Sequence, residues 1–324
     1  MKRLISLLLC ALLIVPALAE DAPDFEPIPW DIKVSPNLPN PDCYLPNNGG
    51  YHDDSIDIQI NVTYWTQDLQ QVDAPGEGTT TVMSARVKLT DVSQFRTGFA
   101  NKYPSKQARH VNDMTKRFKA VMGIDGDYCL YHEQGIVVRN GQTLRMGPHK
   151  GRDELIVDEN GDFHLITCTT QAKWDEYIAG GGTVLHAFCF GPALVVDGVP
   201  LTNLDDVTID NGKAKKAQRM VIGQTGKLEY LILTNEGPES TAPKSVGFDL
   251  VQMANLCVQF GLDNAYNLDG GSSSTIALNN QKINSPSSHK NRMVGDCIWF
   301  ATLVKEETWR EKESVRTVKV EENK

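Results

Sequence analysis

The segment NLDGGSSSTIAL, residues 267–278, places an acid, two glycines and four consecutive hydroxyl residues between two apolar runs. The apolar flanks predict one strand that ends before Asp269 and another that starts near Ile276, with a sharp turn between them. Gly270 and Gly271 permit positive φ and let a ligand approach the backbone closely. Successive N–H groups and serine hydroxyls suit phosphate or sugar oxygens. The segment predicts either a surface turn or an anion-binding loop beside a catalytic carboxylate.

The residues around this segment predict the fold class. Residues 248–260, FDLVQMANLCVQF, repeat apolar side chains at helical spacing, and Gly261 ends the pattern. Further upstream, apolar strands flank hairpin turns at Asn140-Gly141, Asn160-Gly161 and Thr225-Gly226. Many hairpins with a few packed helices predict an α+β fold of mixed or antiparallel sheets in a single catalytic domain.

The two ends of the chain differ in composition from its middle. Residues 1–19 combine two cations, an apolar run and the small-residue site Ala17-Leu18-Ala19, which predicts a cleaved signal peptide. Residues 20–50 are rich in Pro, Asp and Asn without a period and predict an extended leader. Residues 305–324 predict a charged tail, which leaves residues 51–304 as the folded domain.

Export and charge limit the classes of partner. A cleaved signal predicts a secreted or extracytoplasmic protein, and we expect no stable membrane span after cleavage because no later stretch is long and apolar enough. The formal net charge of -9, without a basic stripe, argues against nucleic acid as a partner. The sequence leaves the oligomeric state open.

The cysteines leave two alternatives open. Six remain beyond the predicted signal peptide: Cys43, Cys129, Cys168, Cys189, Cys257 and Cys297. An even number in an exported chain permits disulfides, but the wide spacing selects no pairing. Buried free thiols are the alternative, since a domain of this size does not need covalent links.

Four motifs in order resemble the phosphodiester glycosidase family, the domain of the lysosomal uncovering enzyme N-acetylglucosamine-1-phosphodiester alpha-N-acetylglucosaminidase and of exported bacterial homologues. NLDGGSSSTIAL is similar to that family's NLDGGGSSTM signature, and GIDGDYC to its N-G-G/D-F/Y-F turn. GPALVVDG resembles its GP-x-L-x-x-x-G strand pair, and QRMVIGQTGKLEYLIL its R-T-A-I-G hairpin. The resemblance covers roughly residues 50–304.

The resemblance implies a set of site residues. The implied catalytic residues are Asp269, Arg219 and Asp125, because a guanidinium can bind a phosphodiester bidentately while carboxylates act at the sugar carbon. The implied substrate-binding residues are Asn267, Gly270, Gly271, Ser272, Ser273 and Asp127.

Three positions depart from the family pattern. Asp125 replaces an Asn and predicts an anion beside an anionic substrate, Met220 replaces a Thr, and Ser272 replaces a third glycine. The motifs require no cofactor, although Asp125 and Asp127 across their turn are suited to share a Ca²⁺. His186 is interpreted as a packed or exposed strand residue, with a supply of protons near neutral pH as the alternative. Asp197 is interpreted as a hairpin turn residue.

The predicted activity is hydrolysis of the bond between an anomeric sugar carbon and a phosphodiester. One alternative is a non-catalytic carbohydrate-binding envelope protein, which the change at Asp125 favours. Another is an enzyme that processes exopolysaccharide or teichoic acid in the same cleft. The predicted partners are therefore a carbohydrate phosphodiester or a cell-envelope glycopolymer.

Overall fold

The computed structural model describes residues 37–203, 208, 215–240, 244–285 and 292–310. The predicted signal peptide, the first part of the predicted leader and residues 311–324 of the predicted tail lie outside the described residues.

Most of the described secondary structure consists of short strands. They are β1 (Tyr44–Leu45), β2 (Gly50–His52), β3 (Ile56–Trp65), β4 (Gln71–Val72), β5 (Thr80–Leu89), β6 (Phe95–Phe99), β7 (Met122–Asp125), β8 (Val137–Arg139), β9 (Gln142–Arg145), β10 (Glu154–Val157), β11 (Phe163–Ile166), β12 (His186–Phe188), β13 (Ala193–Val196), β14 (Val199–Pro200), β15 (Arg219–Gly226), β16 (Glu229–Asn235), β17 (Asn264–Asn267), β18 (Ile276–Leu278), β19 (Gln281–Lys282) and β20 (Asp296–Phe300). The helices are α1 (Val111–Phe118), α2 (Gln171–Ala179) and α3 (Leu250–Gln259).

The strands form three sheets, and every pair of neighbouring strands in the described chain is antiparallel. The large sheet has the order β1-β2-β3-β5-β16-β15-β17-β13-β14, with β4 on β3. The second sheet has the order β11-β10-β12-β8-β9, and the third β19-β18-β7-β20-β6. The predicted α+β class is thus confirmed. Strands β1 and β2 join the large sheet, so ordered structure starts ahead of the boundary predicted at residue 51.

The predicted hairpin turns at Asn140-Gly141 and Asn160-Gly161 are present, whereas the third turn lies at Lys227-Leu228, directly after the predicted Thr225-Gly226. Asn140 and Gly141 both have positive φ, 48° and 79°, between β8 and β9. This is the backbone that a two-residue hairpin requires, and Asn and Gly adopt it at little cost. Asp197, with φ 49°, is a turn residue between β13 and β14 as predicted. His186 is on β12 as predicted, and the structure shows it buried, where it accepts the Asn140 N–H through Nδ1 at 3.1 Å.

Helices cover the sheets, and the sheets share a core. Helix α3 starts with a capping box between Asp249 and Gln252, which satisfies backbone N–H groups that the first turn leaves unpaired. Its buried face packs against the large sheet. Helices α1 and α2 pack against the third and second sheets. On the opposite faces, one apolar cluster draws side chains from all three sheets, including Ile222, Ile298 and Leu155.

The six cysteines that the structure describes are free thiols, and four of them are buried. The alternative of buried thiols therefore holds for Cys129, Cys189, Cys257 and Cys297. Within the described residues, no helix has the length and apolar character needed to cross a membrane.

Candidate active site

The signature segment links the large sheet to the third sheet. Strand β17 pairs with β13 and β15 in the large sheet, and β18 pairs with β7 in the third. Between them the chain makes a single 3-10 turn, Gly271–Ser273, entered with Gly271 at a φ of 64°. Asn267 closes the end of β17, where its Nδ2 donates to the Gly191 carbonyl at 2.8 Å. Asp269 thus lies where two sheets meet.

Contacts within the protein fix the loop backbone. The Gly270 N–H donates to Asp269 Oδ1 at 2.9 Å, and the Gly271 N–H donates to the Gln218 carbonyl at 3.0 Å. The Ser273 N–H donates to the Gly270 carbonyl at 3.2 Å. These amides therefore do not form the anion nest expected from the sequence, because each already has an acceptor.

A cleft of about 280 Å³ opens above Asp269. Its lining includes one carboxylate, three cationic side chains and two aromatic rings. The residues that line it are Tyr128, Phe190, Gly191, Lys215, Ala217, Arg219, Leu250, Asn267, Leu268, Asp269, Gly270, Gly271 and Arg292. Among these described residues Asp269 is the only carboxylate. Of the predicted site residues, the cleft brings together Asp269, Arg219, Asn267, Gly270 and Gly271.

Asp269 is held at the base of the cleft by contacts with two other segments. Its backbone N–H donates to the Gly126 carbonyl at 3.2 Å, which attaches it to the turn after β7. Its Oδ2 lies 3.6 Å from Nη2 of Arg292, and the Arg292 guanidinium lies 4.9 Å from the centre of the Tyr128 ring. The carboxylate therefore has a fixed backbone and a cationic neighbour.

Arg219 begins β15 on the opposite wall. Its Nη2 donates to the Lys215 carbonyl at 2.6 Å and its Nε to the Phe248 carbonyl at 3.4 Å. Burial lowers the pKa of Arg219, and the charge of Asp249 acts in the opposite direction. A partly desolvated guanidinium at a cleft wall is well suited to bind an anion.

Asp125 lies beneath the cleft and does not line it. Its side chain is completely buried, and Oδ1 accepts the Thr275 N–H at 2.8 Å. Burial, and then the charge of Asp269, raise the pKa of Asp125 well above its ordinary value. Burial therefore acts against the anion expected at this position and favours the neutral carboxyl, which like an Asn side chain can both donate and accept a hydrogen bond.

Asp127 is also buried. Its carboxylate accepts hydrogen bonds from other groups of the protein and does not line the cleft. Oδ1 accepts from Arg139 Nη2 at 2.8 Å, and Oδ2 accepts the Cys189 N–H at 2.9 Å. Burial opposes ionisation, but the charge of Arg139 and the backbone donors lower the pKa of Asp127. Its predicted contact with substrate is therefore not supported, because both oxygens bind groups of the protein.

The Arg139 guanidinium lies within a cluster that has the donor atoms of a metal site. Asp127, Cys129 and Asp296 place one such atom each within 4.8 Å of one another. Arg139 Nη2 contacts all three, at 2.8 Å, 3.6 Å and 3.1 Å. The guanidinium supplies the positive charge of this cluster. A Ca²⁺ shared by Asp125 and Asp127 stays a prediction, which these contacts of Asp127 do not favour.

Ser272 and Ser273 do not line the cleft, although both were predicted to bind substrate. Ser273 is completely buried. No role was predicted for Tyr128, Phe190, Lys215 and Arg292, which do line it. Tyr128 lies within the GIDGDYC motif, so its place in that motif was a usable signal.

The family model described as phosphodiester glycosidase matches residues 118–301, more than half of the chain, and the chain belongs to that family. No curated protein sequence matches this chain. Among solved structures, the catalytic domain of zebrafish N-acetylglucosamine-1-phosphodiester alpha-N-acetylglucosaminidase, auto-inhibited by its pro-peptide, is similar with a TM-score of 0.58 at 14% identity, over 78% of this chain and 86% of that one. A hypothetical protein from Synechocystis has a TM-score of 0.51 at 14% identity, over 77% of this chain and 62% of that one. At such low identity these likenesses show a shared fold.

Proposed function

We propose that the protein is an exported hydrolase that cleaves a sugar-1-phosphodiester between the anomeric carbon and the phosphate oxygen. The products are the free sugar and a phosphomonoester. Membership of the phosphodiester glycosidase family supports this class of reaction. We assign this reaction to the present chain and to the residues that line its cleft.

The observation that carries the proposal is the chemical composition of the cleft. Lys215, Arg219 and Arg292 supply positive charge, although the chain as a whole has a formal net charge of -9. A local cationic site on an acidic protein selects an anionic group such as a phosphodiester. Tyr128 and Phe190 add apolar surface of the kind that packs against the C–H face of a sugar.

Asp269 is the group that acts at the sugar. In direct hydrolysis it takes a proton from water while the water oxygen bonds to the anomeric carbon, and the electron pair of the broken C–O bond leaves with the phosphate. In the covalent route Asp269 itself attacks the carbon, and water then releases the sugar. A phosphomonoester leaves readily as an anion, so a single carboxylate in the cleft is sufficient.

The test is hydrolysis of a panel of sugar-1-phosphodiesters by the purified chain. We expect Asp269→Asn to lose about 10²–10⁴-fold in kcat/KM, as for removal of a general base. We expect Arg219→Met to lose about 100-fold because charge on the leaving phosphate is no longer stabilised.

Matched controls use exposed residues of the same type. Asp263 and Arg86 are exposed, so Asp263→Asn and Arg86→Met should keep wild-type turnover. If the folded wild-type chain binds these substrates without turnover, the protein is a carbohydrate-binding protein and the proposal is wrong. NMR of the first-formed anomer then separates the direct route, which inverts the anomeric carbon, from the covalent one, which retains it.

Export is a separate part of the proposal. It is supported by the small-residue cleavage site at residues 17–19. Mass spectrometry of the protein recovered from the extracytoplasmic fraction should give an amino terminus near Glu20. Recovery of the intact amino terminus from the cytoplasm would contradict export.

A further inference from the structure

Arg292 contacts both the aromatic wall and the carboxylate of the cleft. Its guanidinium lies 4.9 Å from the centre of the Tyr128 ring, and Nη2 lies 3.6 Å from Asp269 Oδ2. The side chain of Arg292 is 39% exposed, whereas that of Asp269 is 10% exposed. Arg292 is therefore the more exposed member of this ion pair.

This ion pair is easily exchanged. A separation of 3.6 Å is longer than a charge-assisted hydrogen bond, which is typically about 2.7–2.9 Å. Partial exposure of the guanidinium further weakens the pair, because water screens the two charges. A phosphodiester that enters the cleft can offer Arg292 two oxygens in bidentate geometry, which is the stronger contact.

The other cations of the cleft favour this exchange. Arg219 and Lys215 line the same cleft, and Arg219 uses Nε and Nη2 for backbone carbonyls. Their positive charges favour entry of an anion into the cleft that Arg292 also lines. The Tyr128 ring supports the guanidinium through a cation–π contact.

We propose that Arg292 exchanges partners when substrate binds, from Asp269 in the empty cleft to the substrate phosphate in the complex. The exchange removes the Arg292 guanidinium from the Asp269 carboxylate only when a phosphate is present. This inference rests on the proposed function and deepens it, because it names the feature by which the cleft would accept phosphate-linked sugars and reject neutral glycosides.

The first test uses inorganic phosphate as the probe and does not depend on turnover. Calorimetry gives the phosphate Kd of the wild type, Asp269→Asn, Arg292→Gln and the double variant. Asp269→Asn should tighten phosphate binding both in the wild type and in Arg292→Gln, because it removes a negative charge next to the bound phosphate. The gain should be about 2- to 5-fold larger when Arg292 is present, because the ion pair no longer has to be broken.

Two outcomes of this double-mutant cycle would contradict the proposed exchange of partners. One is an equal gain in both backgrounds, which would mean that Arg292 keeps its contact with Asp269 when phosphate binds. The other is no phosphate binding by the wild type. Arg86→Gln serves as the matched control and should leave the phosphate Kd unchanged, since Arg86 lies on β5 and contacts Thr225 at 3.4 Å.

The second test compares two substrates of the same sugar, a 1-phosphodiester and a neutral 4-nitrophenyl glycoside. Arg292→Gln should lower the ratio of the kcat/KM value for the phosphodiester to that for the neutral glycoside at least about 10-fold, because only the phosphodiester loses a contact with the guanidinium. An equal fall for both substrates would contradict the exchange. If the wild type hydrolyses neither, the proposed function fails, and the phosphate cycle alone decides the exchange.

Discussion

The carboxyl of Asp125 is completely buried, and its pKa is raised first by burial and then by the charge of Asp269. A raised pKa in the folded state stabilises the fold at acidic pH, and this contribution is lost as the pH rises from about 3.8 through the folded value. Asp125→Asn has no such titration. We therefore expect the variant to gain stability relative to the wild type as the pH rises, by at most about 1.4 kcal/mol for each pH unit in that window.

Urea unfolding of both proteins between pH 4 and pH 8 measures this difference. Asp263→Asn is the matched control, because Asp263 is exposed. A stability difference that does not change with pH would mean that Asp125 is ionised in the fold.

Arg139 gives a second prediction at the scale of the residue. Arg139→Met leaves Asp127 and Asp296 buried without their cation. Loss of one partner of a buried ion pair costs about 3–5 kcal/mol, so we expect a fall of that size in the free energy of unfolding. Urea denaturation measures it, and Arg86→Met at an exposed position should change it by less than about 0.5 kcal/mol. An unchanged stability would show that the buried charges are not paired.

Some site residues were predictable and others were not, for physical reasons. An acid beside two glycines at the end of a strand is a local pattern, so the sequence alone singled out Asp269, which lines the cleft. Arg292 contacts Tyr128 and Asp269, which lie far from it in the chain, and no local pattern encodes such a contact. Asp127 was assigned to substrate because its partner Arg139 could not be recognised before the strands were placed in space.

At the scale of the element, turn chemistry made the hairpins predictable. Asn140 and Gly141 both adopt positive φ readily, so the hairpin between β8 and β9 is specified by its own sequence. The packing of hairpins into sheets is not specified locally. Nothing in residues 37–50 resembles an alternating strand, yet β1 and β2 pair at the edge of the large sheet.

A substitution at Gly50 tests whether the edge strands β1 and β2 contribute to the stability of the fold. It has a φ of 133°, and a Cβ at this position would lie 1.8 Å from the Ile58 carbonyl oxygen. Gly50→Ala should therefore separate β2 from β3 and cost about 1–3 kcal/mol of stability. Urea unfolding measures the cost, and hydrogen exchange should show faster exchange at β2 amides. Gly76→Ala, where a Cβ meets no atom within 4 Å, should be neutral; an equal effect of both changes would contradict this explanation.

At the scale of the whole molecule, β20 completes the third sheet. It pairs with β6 on one side and with β7 on the other, although β6 and β7 lie far upstream. The sequence could not predict this arrangement, because each pairing joins segments separated by most of the domain. The same pairings connect the carboxyl-terminal part of the chain to the apolar core that the three sheets share.

Truncation of the chain tests whether the stability of the fold depends on β20. A chain that ends at Arg310 keeps β20 and should unfold cooperatively in urea with native near-ultraviolet circular dichroism. A chain that ends at Val294 lacks β20 and exposes the edges of β6 and β7, so we expect it to lose cooperative unfolding and to aggregate. Cooperative unfolding of the shorter chain would show that the other sheets fold without the third.

The residues that line the cleft lie at the ends of different strands and in the loops next to them. Tyr128 follows β7, Phe190 lies between β12 and β13, Arg219 begins β15, Asp269 follows β17, and Arg292 precedes β20. Each wall can therefore vary during evolution while the strands that hold the other walls stay as they are. Under the proposed function, a lineage that needs a different sugar can change the aromatic wall at Phe190 and keep the contact of Tyr128 with Arg292.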